Sequence, residues 1–284
     1  MAYSKPSKTT SITPMTASGS LISFTTSQTS PMPPILVPLI LSAICVNLTS
    51  PSDHLSRYDD GVDISVLHNP SGIGLSTGIF TSLRHDWVAL MTAVRSHNPR
   101  VAELSALSAS ELPSLVSFMR SHPGLLGGEY SVHAPSKDLG PQGLLFVADL
   151  LLELPALTAR IVVHPDVIGQ SLPVLLRLGA ALTLENMDSR KTQGASVASL
   201  EELFQDLPLS RFCLDVAHAW SIDPSLKLAH NLLDAFENRL AQVHLSGITK
   251  DGHHCPLTQS QLDTYRPVLA RCLSVPWILE SLLA

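Results

Sequence analysis

The chain has 284 residues, a net charge of −6 and a pI near 6.0, with 45% hydrophobic and 15% charged residues. That length suits one large domain or two small ones, and the hydrophobic share allows a large buried core. An acidic balance disfavours duplex nucleic acid as a partner, because non-specific DNA affinity comes from Lys and Arg neutralising phosphates. The four cysteines, Cys45, Cys213, Cys255 and Cys272, form no CxxC pair, which argues against a disulfide scaffold and for a reducing, cytoplasmic compartment.

Residues 1–32 contain 15 Ser or Thr and no acidic residue, and no apolar period is visible. Such a segment buries too little apolar surface to offset its ordering entropy, so it is expected to be disordered. Next comes the apolar run at residues 35–48 (ILVPLILSAICVNL), interrupted by Pro38, Ser42 and Asn47. It is shorter than the roughly 20 residues a membrane span needs, so no membrane partner is expected. The long Ser/Thr leader and weak positive charge fit a signal peptide poorly. An over-extended start, with Met32 nearer the true beginning, is an equal reading. Residues 1–69 are therefore expected to form an extension, and residues 70–284 a barrel domain.

From about residue 70, short aliphatic runs alternate with stretches of helical period. The expected strands are Ile73–Thr77, Val101–Ser105, Tyr130–His133, Ile161–His164, Leu182–Glu185, Phe212–Asp215, Ala241–Leu245 and Trp277–Glu280. The expected helices are Ser82–Val94, Glu111–Arg120, Gly143–Leu152, Ser199–Leu207, Ser225–Leu240 and Gln259–Leu273. Continuous aliphatic strands imply burial on both faces, as in a parallel sheet covered by helices. Eight such units in roughly 215 residues point to a closed (β/α)8 barrel of the TIM type rather than an open doubly wound sheet. No G-x-G-x-x-G or P-loop follows any strand, which weakens a nucleotide-binding reading. The last strand ends close to Ala284, so the eighth helix is expected to be short or missing. The run at 35–48 is expected to pack in its place.

Functional residues of such a barrel lie at the C-terminal strand ends. Read there, the third strand ends in His133 (SVHAP), the fourth in His164 (VVHPD) and the fifth in Glu185 (LTLEN). The sixth gives Asp215, with His218 three residues on (LDVAH). The seventh offers His244 (QVHLSG), followed by Asp251 and His253 in DGHH, and the eighth ends in Glu280 (WILES). Each residue alone reads as ordinary, a hydrogen-bonded strand-end His or a solvated Glu. Together they crowd carboxylates around one axis, where mutual repulsion and desolvation call for a cation. Mixed imidazole and carboxylate donors suit Zn2+ or Mn2+ better than Ca2+.

The phrases LTLEN, FCLDVAHA, VHLSG and PWILES resemble the xylose isomerase-like TIM barrel superfamily over roughly residues 70–282. That superfamily holds sugar isomerases and epimerases together with apurinic endonucleases of the endonuclease IV type. Resemblance to the epimerases implies one metal held by Glu185, Asp215, His244 and Glu280. The two glutamates would then move a proton next to a carbonyl of a small sugar or sugar phosphate, with His218 contacting substrate. Resemblance to the endonuclease branch implies three zinc ions: one on His133, His164 and Glu185, one on Glu185, Asp215, His244 and Glu280, and one on His218, Asp251 and His253. The chain departs from the epimerases at Lys191, where they carry a second Glu, and at Lys250, where they carry Arg. It departs from the endonucleases at HCPLT, where they continue with glycine. The leading expectation is a metal-dependent isomerase or epimerase. The alternatives are a zinc phosphodiesterase and a barrel that only binds.

Overall fold

A computed structural model of the protein describes residue 65, residues 67–123 and residues 128–284. Its strands, in chain order, are β1 (Ile73–Ser76), β2 (Val101–Ser105), β3 (Glu129–His133), β4 (Arg160–Val163), β5 (Leu182–Glu185), β6 (Arg211–Asp215), β7 (Leu240–Leu245), β8 (Gly247–Ile248), β9 (His254–Cys255) and β10 (Trp277–Leu279). Eight of them close into a barrel in the order β1-β10-β7-β6-β5-β4-β3-β2, and all barrel pairings are parallel. β10 closes the ring on β1, with Ile73 beside Trp277 and Leu75 beside Leu279. Strands rich in Val, Ile and Leu fit this closure, because one face fills the barrel and the other meets the helices. The two remaining strands, β8 and β9, pair antiparallel as a small hairpin.

The α-helices are α1 (Trp87–Ser96), α2 (Leu112–Ser121), α3 (Ala148–Leu151), α4 (Leu172–Leu175), α5 (Val197–Asp206), α6 (Val216–Ile222), α7 (Lys227–Phe236) and α8 (Gln259–Leu269). Their starts follow the capping residues of the sequence. The Asp86 side chain accepts from Ala89 N, the Ser196 side chain from Ser199 N, and Thr258 with Gln261 forms a capping box. The expected helix at 143–152 is a correction: residues 140–146 form 3-10 turns broken at Gly143, and only Ala148–Leu151 is α-helical. Gly143 has φ +56, and a Cβ there would stand 2.5 Å from the Val167 carbonyl oxygen, so the chain must kink. α4 and α6 lie outside the expected set, and both are short.

Among the described residues no helix follows β10. The tail instead runs beside the start of α8, with Leu257 N donating to Leu282 O and Ala284 N to Leu257 O. The apolar run at 35–48, expected to take the eighth helix's place, lies outside the described residues. No described helix is long and apolar enough to cross a membrane.

The two-residue period of the strands sets the barrel interior in layers. Glu103, Ser131 and Gln242 form a buried polar layer, linked through Glu103 Oε2. Two residues further along, the same strands carry Ser105, His133 and His244, level with Glu185 and Asp215. The β8–β9 hairpin then folds over this upper layer. Its first residue, Gly247, has no room for a side chain, since a Cβ would lie 2.4 Å from Pro256 O and 2.8 Å from Cys255 O. Both obstacles are backbone and cannot rotate away. Gly247→Ala is expected to cost about 1–3 kcal/mol of stability through this overpacking, read as a lower thermal midpoint; an unchanged midpoint would show that the hairpin moves freely.

Candidate metal centre

Glu185 ends β5 and is 1% exposed, yet four imidazoles approach its carboxylate. His133 Nε2 and His164 Nε2 lie 3.3 and 3.2 Å from Oε2. His244 Nδ1 and His218 Nδ1 lie 3.3 and 3.4 Å from Oε1. The two oxygens therefore face two different sets of donors. Glu280, just past β10, reaches the Oε1 side, with its own Oε1 3.4 Å from His244 Nδ1.

Asp215 has a divided role. It caps α6, its Oδ1 accepting from His218 N at 2.7 Å, and this leaves Oδ2 buried without a hydrogen bond. Asn186 ties the ends of β5 and β6 together: its Oδ1 accepts from Asp215 N and its Nδ2 donates to Asp215 O. The Asn186 carbonyl also receives the Nδ1–H of His218 at 2.9 Å, which turns His218 Nε2 outward. That nitrogen meets His254 Nε2 at 3.1 Å.

Beneath the centre, Glu103 Oε2 accepts from Ser131 Oγ at 2.9 Å and Gln242 Nε2 at 2.8 Å, and lies 3.1 Å from His244 Nε2. Burial alone would raise this carboxyl, but the His244 charge and hydrogen bond outweigh it and hold it at about 2. A carboxylate behind an imidazole fixes its tautomer and presents the other nitrogen forward, the arrangement found behind metal-ligating histidines.

Three groups of described side chains could each hold a metal ion: His133, Glu185 and His244; Asp215, His218 and His254; and Glu185, Asp215, His244 and Glu280. Within each group the ligand atoms lie within 4.8 Å of one another. The fit to a cation is tested by Glu185 Oε1, Asp215 Oδ2 and His244 Nδ1, three buried atoms without hydrogen bonds that all belong to the last group. Orphaned buried acceptors are costly, and one cation between them would satisfy all three. Mixed nitrogen and oxygen donors of this kind suit zinc or manganese.

The buried carboxylates and imidazoles also shift one another's proton affinities. Burial pushes His133 down, but Glu185 beside it wins and lifts it to about 9. Burial likewise opposes His244, which the surrounding thiol and carboxylates nonetheless hold well above the usual imidazole range. Glu185 is held well below the carboxylate range by the histidines around it, despite its burial. Glu280, buried and facing Glu185 and Glu103, is pushed up to about 7. Burial lowers His254 to about 4, leaving it neutral with a free lone pair.

Of the sequence-expected residues, His133, Glu185, Asp215, His218, His244 and Glu280 converge in these groups, and His164 joins them through Glu185. Asp251 and His253 do not: both are exposed, and His253 Nδ1 stands 3.5 Å from Arg190 Nη1. The neighbouring His254 occupies the place expected of His253, because adjacent residues of a strand point to opposite sides. Glu103, Asp188 and His254 are site residues outside the expected set. A carboxylate in the middle of an otherwise buried strand was the signal for Glu103.

A cavity of about 920 Å³ opens onto the donors, lined by Ser76, Ser105, Lys137, Arg190, His254 and Glu280 among others. Fold and donors together define a closed (β/α)8 barrel with a candidate metal centre at the C-terminal ends of its strands. No protein-family model matches the sequence, and no curated protein matches it. Among solved structures the chain is similar to a Haloferax volcanii malate synthase in a lead(II) complex, at 9% identity and a TM-score of 0.47, over 73% of this chain and 68% of that one. It is also similar to a xylose isomerase-like TIM barrel/4-hydroxyphenylpyruvate dioxygenase fusion protein, at 17% identity and a TM-score of 0.42, over 74% of this chain and 38% of that one. The chain thus spans well under half of the fusion protein.

Glu103→Gln is expected to weaken metal binding about 10–100-fold with the fold retained, whereas Ser131→Ala should change it little. Equal losses in the two variants, measured by chelator competition, would reduce the layer to packing. Metal affinity should also climb with pH. Glu280 at about 7 and His133 at about 9 must each lose a proton to ligate, so protons compete below those values. The expected gain is about tenfold per pH unit for each proton released. A flat profile between pH 6 and 9 would contradict this ligand set.

Proposed function

We propose that the protein is a metal-dependent hydrolase acting on a small phosphoester, with two or three divalent ions, zinc foremost, held by His133, His164, Glu185, Asp215, His218, His244, His254 and Glu280. Glu185 carries the reading. Its Oε2 lies against His133 and His164, while its Oε1 lies against His244 and His218. With imidazoles gathered at both carboxylate oxygens, Glu185 would help hold more than one ion, which would supply two-metal phosphoryl chemistry. When bound, such ions supply Lewis-acid stabilisation of charge on a phosphoryl group. The same crowding counts against Glu185 as a mobile base, since four imidazoles surround its carboxylate and the residue is almost wholly buried.

The chain's own residues supply shape and orientation. The cavity, about 920 Å³, suits a ligand of one or two sugar units. The negative net charge argues against a duplex as substrate. Asp215 is held by its cap to α6 and by Asn186, and His133 by its hydrogen bond to the Ala134 carbonyl. Their orientation is therefore set before any ligand arrives.

One observation favours the isomerase reading. Glu280 is raised to about 7 and lines the cavity, as a proton-moving group acting on a sugar would. Elemental analysis decides between the two. Two or three ions per chain, with chelator-sensitive hydrolysis of bis(4-nitrophenyl) phosphate that Glu185→Gln abolishes, is the expected result. One ion per chain, no hydrolysis, and exchange of a sugar C–H with solvent deuterium would establish the isomerase instead.

A further inference from the structure

Arg190 lies outside the metal donors and is set more firmly than its position on a loop requires. Asp188, 1% exposed, accepts from Arg190 Nε at 3.0 Å through Oδ1 and from Nη2 at 2.7 Å through Oδ2. This bidentate pair uses one edge of the guanidinium. Nη1 remains on the side facing His253, and the side chain, 44% exposed, lines the cavity. Gly252 closes the other flank. Its φ is +77, and a Cβ there would lie 2.8 Å from Arg190 Nε and 3.3 Å from Cζ, so the bare backbone packs against the guanidinium.

The remaining cations of the cavity divide cleanly. Lys191 is committed to Asp166. Lys137 lines the cavity, is exposed, and has no ion-pair partner among the described residues. The Asp188 carboxylate also lies 3.9 Å from His218 Nε2, so the Arg190–Asp188 pair adjoins the metal donors. A guanidinium held on two sides, its remaining edge met by His253 Nδ1 at a long 3.5 Å, in a cavity that the ammonium of Lys137 also lines, is placed to receive an oxyanion.

We propose that Arg190 and Lys137 form the recognition site for a phosphate group of the substrate, with Asp188 and Gly252 as positioning residues. The proposal rests on the reading of this cavity as the substrate site. Phosphate, with up to two charges and oxygens in several directions, uses both cations, whereas a carboxylate fits one.

The test is calorimetric titration of inorganic phosphate into the full-length protein as purified, with metal content matched between variants. Arg190→Lys keeps the charge beside Asp188 but removes the fork, and should weaken phosphate binding about tenfold or more. Gly252→Ala changes no charge, displaces the guanidinium, and should weaken binding comparably; Lys137→Gln should give a smaller loss. Unchanged affinity in both Arg190→Lys and Gly252→Ala overturns the proposal, and acetate binding as tightly as phosphate overturns the phosphate assignment. The readout needs no turnover. Weakened phosphate binding without any phosphodiester hydrolysis leaves the recognition site standing and removes the hydrolase reading, and hydrolysis with unchanged phosphate affinity does the reverse.

Discussion

A carboxylate at the top of a closed barrel has almost no water to share its charge, and Glu185 is in that position. The charge is stabilised by imidazoles delivered from four other places in the chain: His133 on β3, His164 after β4, His218 on α6 and His244 on β7. Three of these are then constrained in turn. His133 is fixed by the Ala134 carbonyl, His218 by the Asn186 carbonyl, and His244 by Glu103. The upper half of the barrel is therefore one connected polar structure organised around the buried Glu185 carboxylate. In a low dielectric such a structure holds together only if its members are satisfied. The orphaned Glu185 Oε1, Asp215 Oδ2 and His244 Nδ1 mark the place where the protein alone does not satisfy it.

Closure of the sheet makes this arrangement possible. The strands are short and nearly all buried, so each end is carried by hydrogen bonds to both neighbours rather than by a loop. The register sets His244 beside Asp215 and Cys213 beside Glu185, so chemistry-bearing residues of adjacent strands arrive at one height. Asn186 and the α6 cap then lock β5 to β6 at that height. A site built on strand ends in this way keeps its geometry without help from the longer loops above it.

The same logic explains how much was legible in the sequence. Aliphatic runs separated by helical periods give the barrel, and the strand-end positions give seven converging residues, Glu185 and Asp215 among them, because period two and burial are local properties. Glu103 was missed because attention to strand ends passes over a carboxylate two residues earlier, on the same inward face but one layer down. The D-x-H spacing marks His253, whereas His254 is the one that meets His218 Nε2, because a spacing in sequence does not record which of two adjacent residues faces the barrel. The break at Gly143 depends on the approach of Val167 from a distant segment, which no local pattern records.

The hairpin that carries His254 also reaches Arg190. Gly247 lets β8 pass against the Cys255–Pro256 backbone, which brings His254 down onto His218. Five residues later, Gly252 turns the same loop against the Arg190 guanidinium. The candidate donor His254 and the Arg190 guanidinium are thus both contacted by one short segment whose path depends on two glycines. A side chain at either would meet backbone or guanidinium atoms at under 3 Å, so neither end of the loop can shift without disturbing what it packs against. Strand ends supply the rigid floor of the site, and this loop sets how a ligand's oxygens could meet the donors and the cationic wall together.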